Sequence, residues 1–213
     1  MARRAQSRPA KRSTYHHGDL PTALRAVARR LVAERGADGF TLREAARLVG
    51  VHHAAVYRHF VDKRALLAAL AEEGFGELEL ALRDAVAGAP PGDASDRLRR
   101  IGRAYVRFAL DDPARFRLMC GPRLNEDGRH PSLERALASA VAAIQDEVTT
   151  GMQASRLRPR PVREVTFALL AMAHGYADFV LTRRIRARST AAAVDYFGTL
   201  LEPLLTGLTT DAR

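Results

Sequence analysis

Apolar side chains recur along this chain at three- and four-residue intervals, the period of an amphipathic helix, and no stretch alternates with period two for long enough to make a sheet. Leu20, Leu24, Val27 and Leu31 fall on one face of a first helix. Asp19 is its expected N-cap, Pro21 is tolerated in the first turn, and Gly36 and Gly39 close it. Thr41, Leu42, Arg43 and Glu44 spell a capping box, in which the Thr41 hydroxyl accepts from a first-turn amide and Glu44 reaches back to the amide of Thr41. The helix it opens is short and stops at Gly50, and a second short helix is expected from His52 or His53 to His59. Asp62 caps a longer one through Lys63, Leu66, Leu67 and Leu70 to about residue 87. Gly88, Ala89, Pro90, Pro91 and Gly92 break the pattern. Helices are then expected over 93–110, over a short segment opened by Asp112 and Pro113, and from Ser132 until Arg158, Pro159, Arg160 and Pro161 end it. Two more are expected over 162–185 and 190–207. The fold class is all-α.

Composition changes this picture little, but the placement of charge changes it more. With 213 residues, 47% hydrophobic and 27% charged, the chain suits one large or two small globular domains. No apolar run approaches the roughly 20 residues of a membrane-spanning helix, so an integral membrane protein is not expected. No signal peptide is apparent, and a cytoplasmic location follows. The single cysteine, Cys120, excludes an internal disulfide framework and reads as a small buried hydrophobe. Of the net charge of +10, nine charges belong to the first 70 residues, which hold 14 of the 34 Lys and Arg but 5 of the 24 Asp and Glu. Such asymmetry predicts that the N-terminal third meets a polyanion, nucleic acid or a membrane surface, while the remainder does something else. Residues 1–14 read as a disordered basic arm, fit to contact a minor groove or phosphates.

Two short helices joined by a glycine turn and braced by flanking helices meet the demands of a helix-turn-helix. Ala46 is small where the helices cross, and Gly50 permits the turn. Ala45, Val49, Val51 and Val56 can fill the space between them. His52, His53, Ala54, Tyr57 and Arg58 would then be offered to a major groove. The histidines at 16, 17, 52, 53 and 59 do not make a metal site, because adjacent pairs diverge by about 100 degrees on a helix and no cysteine lies nearby.

Residues 15–75 closely resemble the N-terminal DNA-binding domain of TetR-type transcriptional regulators. The resemblance rests on Tyr15, His16, His17, Gly18, Asp19 and Leu20, on 41–46, on Gly50 and Val51, on Tyr57, Arg58, His59 and Phe60, and on Asp62, Lys63, Leu66 and Leu67. It implies a three-helix helix-turn-helix domain over 15–65, followed by a helical ligand-binding and dimerisation domain over 66–213. It also implies that Thr41, Tyr57, His59 and Lys63 hold phosphates, while His52, His53, Ala54 and Arg58 lie near base edges. Where this chain has His52 the family commonly has Ser or Thr. His174 and Gly175 resemble part of a Trp-His-Gly motif of one subset, with Ala173 where the Trp would stand. His174 reads either as a satisfied core histidine or as a ligand contact.

In the second domain, Phe75, Tyr105, Phe108, Phe116, Met119, Leu137, Val141, Met172, His174 and Tyr176 are the candidate lining of a pocket for an apolar or aromatic effector. Val165, Leu169, Phe179, Tyr196, Phe197, Leu200, Leu201 and Leu204 are the candidate interface of a two-fold homodimer built as a four-helix bundle. No catalytic arrangement is visible, and no cofactor is expected. The expected function is a ligand-responsive regulator, most simply a repressor, released from a pseudo-palindromic double-stranded DNA operator by a small molecule. Two alternatives stand beside it. One is a helical small-molecule-binding enzyme tethered to nucleic acid by its basic N-terminus, and the other a DNA-binding protein with no ligand.

Overall fold

The computed structural model describes residues 19–89 and 93–210. The basic arm, the opening motif through Gly18 and the centre of the loop at 90–92 lie outside the described residues. Within them the chain forms ten helices. They are α1 (Leu20–Arg35), α2 (Leu42–Val49), α3 (His53–Val56), α4 (Lys63–Ala87), α5 (Ala94–Asp111), α6 (Pro113–Cys120), α7 (Pro131–Gln153), α8 (Val162–Leu181), α9 (Thr190–Leu200) and α10 (Glu202–Leu208). One isolated β-bridge, Leu157 with Thr209, ties the end of α10 to the segment before α8.

Local chemistry accounts for most of the boundaries. Gly36 closes α1 with φ 77° and its amide donates to the Val32 carbonyl at 2.8 Å. Asp19 departs from expectation: its carbonyl starts the helix, but its side chain makes no capping bond. The capping box forms only by half. Thr41 Oγ1 accepts from the Glu44 amide at 3.2 Å, whereas the Glu44 carboxylate pairs with Arg35 at 2.8 Å instead of returning to Thr41. A guanidinium offers that carboxylate a charge-assisted bond, about twice as strong as a bond to a neutral amide. Asp62 caps α4 through the Ala65 amide at 2.7 Å, and Asp112 caps α6 through the Arg115 amide at 3.0 Å.

The turn between α2 and α3 depends on Gly50, which sits at φ 82° and ψ 24° in the left-handed region. A Cβ there would meet nothing within 4 Å, so the cost of adding one is purely conformational. Gly50→Ala is expected to lower stability by about 1–2 kcal/mol, read as a shifted denaturant midpoint with unchanged slope. Beyond the turn, the recognition segment is more compact than expected. α3 ends at Val56, and residues 57–59 follow as turns in which the Arg58 and His59 amides bond to Ala55 and Val56. Those i to i−3 closures tighten the chain away from α-helical pitch.

α4 crosses the expected boundary at 65/66 without a break and is common to both parts. α7 runs parallel to it, with Ser132 bonded to Glu72 near one end and Arg83 paired with Asp146 near the other. α5 returns antiparallel, its Arg97 held by both carboxylate oxygens of Glu147 at 2.6 and 2.8 Å. α8 follows the direction of α5, and α9 packs on α5 so closely that a Cβ on Gly102 would lie 2.7 Å from Leu201 and 2.9 Å from Phe197. The expected helix over 190–207 is two, because Pro203 has no amide to continue the ladder to Thr199.

α8 corrects the expectation on membrane spans, since it is long and apolar enough, by length and composition, to cross a bilayer. Here its Val165, Leu169, Ala173, Tyr176 and Ala177 are buried within the bundle, and exposed Arg163, Glu164 and Asp178 flank that stretch. Its apolar character is the signature of a helix that packs on several neighbours at once.

Candidate nucleic-acid interface and ligand cavity

The helix-turn-helix presents one exposed face. Ala45, Ala46, Val49 and Val56 are buried between α1, α2 and α3, and Phe60 closes the far side, so the remaining side chains point outward by default. Thr41, His52, His53, Ala54, Tyr57, Arg58 and His59 are all exposed, and Lys63 is half-buried. His52 caps α3, its Nδ1 accepting from the Ala54 amide at 3.3 Å, and thereby takes the task a Ser or Thr hydroxyl would perform. Its ring lies 4.3 Å from that of His53, which meets Tyr57 edge-on at 6.4 Å. Lys63 is partly committed elsewhere. Its ammonium donates to the Phe40 carbonyl at 3.1 Å and to that of Asp38 at 3.5 Å, which leaves one N–H for a phosphate.

Two further residues belong to this face and are not among those expected from sequence. Arg43 and Arg47 stand one turn apart on the exposed side of α2, and among the described residues neither they nor Arg58 has a carboxylate partner. The signal for them was present, since both lie opposite the buried Leu42, Ala45, Ala46 and Val49 of the same helix. Glu44, the one acid nearby on α2, is neutralised by Arg35.

In the second domain α4, α5, α6, α7 and α8 line a cavity of about 580 Å³ that is open to solvent where Leu137, Phe167 and Ala171 are exposed. Of the expected lining residues, Phe75, Tyr105, Met119, Leu137, Val141 and His174 face it. Phe108, Phe116, Met172 and Tyr176 do not. Phe108 lies under the Arg115 guanidinium, and Phe116 is buried behind the wall, with its ring 5.1 Å from His174. Met172 packs half-buried against the core, one residue round α8 from Ala171, which lines the space. Tyr176 turns to α9, where its hydroxyl donates to the Ala193 carbonyl at 2.9 Å. Helical spacing marks a residue as apolar-facing but does not say which of two apolar faces it joins. Leu78, Leu82, Cys120, Ala140, Ile144, Phe167, Leu170, Ala171 and Gly175 complete the wall.

The polar atoms of the cavity form one cluster. The Tyr105 hydroxyl lies 3.0 Å from His174 Nδ1, so His174 is at once satisfied and exposed to the cavity. Burial holds the Tyr105 hydroxyl well above the usual phenol range. Cys120 is not the buried hydrophobe expected: it is exposed, but to the cavity, surrounded by protein on most sides. Burial pushes its thiol up to about 11 from an ordinary 9.0, against a smaller opposing effect of its bond with Tyr105. Alkylation of Cys120 by iodoacetamide at pH 8 is therefore expected to run about a hundredfold slower than that of a free thiol, and to accelerate as pH rises toward 11. Mass spectrometry of the time course measures it.

The expected dimer surface divides in two. Val165, Leu169, Phe197 and Leu201 are buried inside the protomer, the last two with no exposure at all, so none can meet a partner. Gly102 lets Phe197 and Leu201 approach α5 closely enough to be internalised. Phe179 and Tyr196 are 45% and 53% exposed, and Leu200 and Leu204 are half-buried.

Comparison with known proteins follows these two regions. Residues 24–70 match the family described as bacterial regulatory proteins, tetR family, and residues 98–202 match the tetracyclin repressor-like C-terminal domain. The chain is similar to the HTH-type transcriptional regulator Rv1816 of Mycobacterium tuberculosis, 29% identical over 135 residues, which is 62% of this chain and 57% of that protein. The chain thus spans just over half the length of that relative. Among solved structures, a protein of unknown function from Rhodococcus sp. RHA1 superposes with a TM-score of 0.78 at 30% identity, over 93% of this chain and 100% of that one. The ketosteroid transcriptional regulator KstR2 of Mycobacterium tuberculosis shares the fold, with a TM-score of 0.63 at 20% identity over 92% and 98% of the two chains. None of these matches extends the resemblance to the Trp-His-Gly subset. With a helix-turn-helix head and a cavity-bearing helical body each matched over most of its length, the chain belongs to the TetR family of bacterial regulatory proteins.

Proposed function

We propose that this protein is a cytoplasmic, homodimeric transcriptional repressor that leaves a pseudo-palindromic operator when a small molecule fills its cavity. The observation that carries the reading is the exposed face of α2 and α3, where Arg43, Arg47 and Arg58 lack carboxylate partners among the described residues and stand beside His53, Ala54 and Tyr57. Such a face suits a major groove: Arg58 can grip guanine O6 and N7, Ala54 can pack on a thymine methyl, and Thr41, Tyr57 and His59 can hold phosphates. Phe179, Tyr196, Leu200 and Leu204 supply the dimer contact, pairing α8 and α9 with their copies and setting two heads about one DNA turn apart.

Release requires that the ligand bind a second head spacing more tightly than the DNA-bound one. The fold has a link suited to this. α6 places Met119 and Cys120 in the cavity and, from the same helix, pairs Arg115 with Glu77, which also binds Arg29 of α1. Arg64, in the first turn of α4, donates to the Leu124 carbonyl at 2.6 Å, joining the segment after α6 to the helix that leaves the head.

Selection of bound duplexes from a random pool, by the protein and by its Tyr57→Ala and His53→Ala variants, tests the reading. A pseudo-palindrome that the variants lose or relax is the expected result. Binding without sequence preference that vanishes at moderate salt would mean the basic third is an electrostatic tether and would sink the proposal.

A further inference from the structure

The cavity has a direction. Three of its five helices run along its length, each for eight residues: Phe75 to Leu82 on α4, Leu137 to Ile144 on α7, and Phe167 to His174 on α8. α4 and α7 run in one sense and α8 in the other, so Phe75, Leu137 and His174 mark one end, and Leu82, Ile144 and Phe167 the opposite end. The seven rises between eight residues, at about 1.5 Å each, give a shaft about 10 Å long. Tyr105, Cys120 and His174, the polar side chains of the wall, gather at the first end, and the second is hydrocarbon and aromatic throughout. Among the described residues, no Lys, Arg, Asp or Glu lines the shaft. Beyond its polar end lies a vestibule of about 240 Å³ that shares Phe75, Met119, Cys120 and Leu137 with it. The charges of the vestibule are already matched, Arg123 lying 3.2 Å from Glu134.

The geometry points to the class of effector: an uncharged, elongated amphipath whose hydrocarbon body fills the shaft, with one hydroxyl or carbonyl group at Tyr105 and His174. This inference rests on, and narrows, the ligand-responsive reading above. An apolar body gains from burial along the whole shaft, and a single hydroxyl can exchange hydrogen bonds with the cluster. A formal charge of either sign would leave water for a wall that offers no counter-charge of its own, which is the costliest kind of burial. The high thiol and phenol pKa values of Cys120 and Tyr105 fit the same wall, since both groups stay protonated and remain donors at neutral pH.

The test compares decanol, decanoate and decylammonium, equal in chain and different in head group, by calorimetry and by thermal melting of the full chain. Decanol is expected to bind at least about tenfold more tightly than either ion. Tyr105→Phe, which removes one hydroxyl and keeps the ring, is expected to weaken decanol several-fold while leaving binding of decane unchanged. Ala171→Phe, on the open wall, is expected to block all the probes without loss of the fold, as circular dichroism would show. Tighter binding of either ion, or no binding by any of the three, overturns the inference. Because these measurements need no DNA, they separate from the operator test: failure to select a duplex would remove the regulatory reading and leave the preference of the cavity measured.

Discussion

Phe197→Ala is expected to cost about 3–5 kcal/mol of folding stability, a large share of the roughly 5–15 kcal/mol that typically keeps a protein folded. The ring has no exposure, lies 5.1 Å from that of Tyr176, and fills the place where α9 meets Gly102 of α5. Removing it leaves a void between three helices that Gly102, having no side chain, cannot fill. Its neighbour Tyr196, about 100 degrees round α9, is 53% exposed, and Tyr196→Ala is expected to leave the protomer folded while weakening self-association. Denaturant unfolding at two protein concentrations, with sedimentation equilibrium, distinguishes them. The loss at Phe197 should persist at every concentration, and the effect at Tyr196 should appear as a shift in dimer dissociation alone. If Tyr196→Ala leaves association untouched, the α8–α9 face is not the dimer contact.

Arg58→Ala is expected to cost about 1–3 kcal/mol of operator affinity and to relax selection at one base pair, since a bidentate grip on guanine is lost. Arg58 is exposed and free of carboxylates among the described residues, so on the proposed reading its guanidinium would meet DNA without first breaking an ion pair. His59→Ala should act differently, weakening binding to all sequences alike, as a phosphate contact does. Binding curves on the selected duplex and on single-base variants give both numbers. Equal losses on every variant for Arg58→Ala would reassign it to the backbone.

The head was legible because its signals are local. Thr41, Gly50 and Asp62 each fix a cap or turn within a few residues, and the alternation of buried and exposed positions on an eight-residue helix leaves one choice of face. The half of the capping box that does not form shows where such signals stop. Glu44 has two partners within reach, and the stronger, Arg35, lies nine residues away on α1, beyond the span of the motif. The body was less legible because its helices are apolar on more than one face. On α8, Leu169 is buried in the core, Leu170 lines the cavity, and Phe179 faces outward, yet all three have the same composition-level signal.

By itself, the sequence determined that the chain is helical, where the short helices of the head begin and turn, and that positive charge gathers there, since caps, glycine conformations and side-chain charges act over a few residues. Only the tertiary structure decided which apolar residues wall a cavity, which close the core and which remain outside. That sorting depends on how closely helices distant in sequence approach one another. Gly102 against Phe197 and Leu201 is one such approach, and it turned two expected interface residues into core.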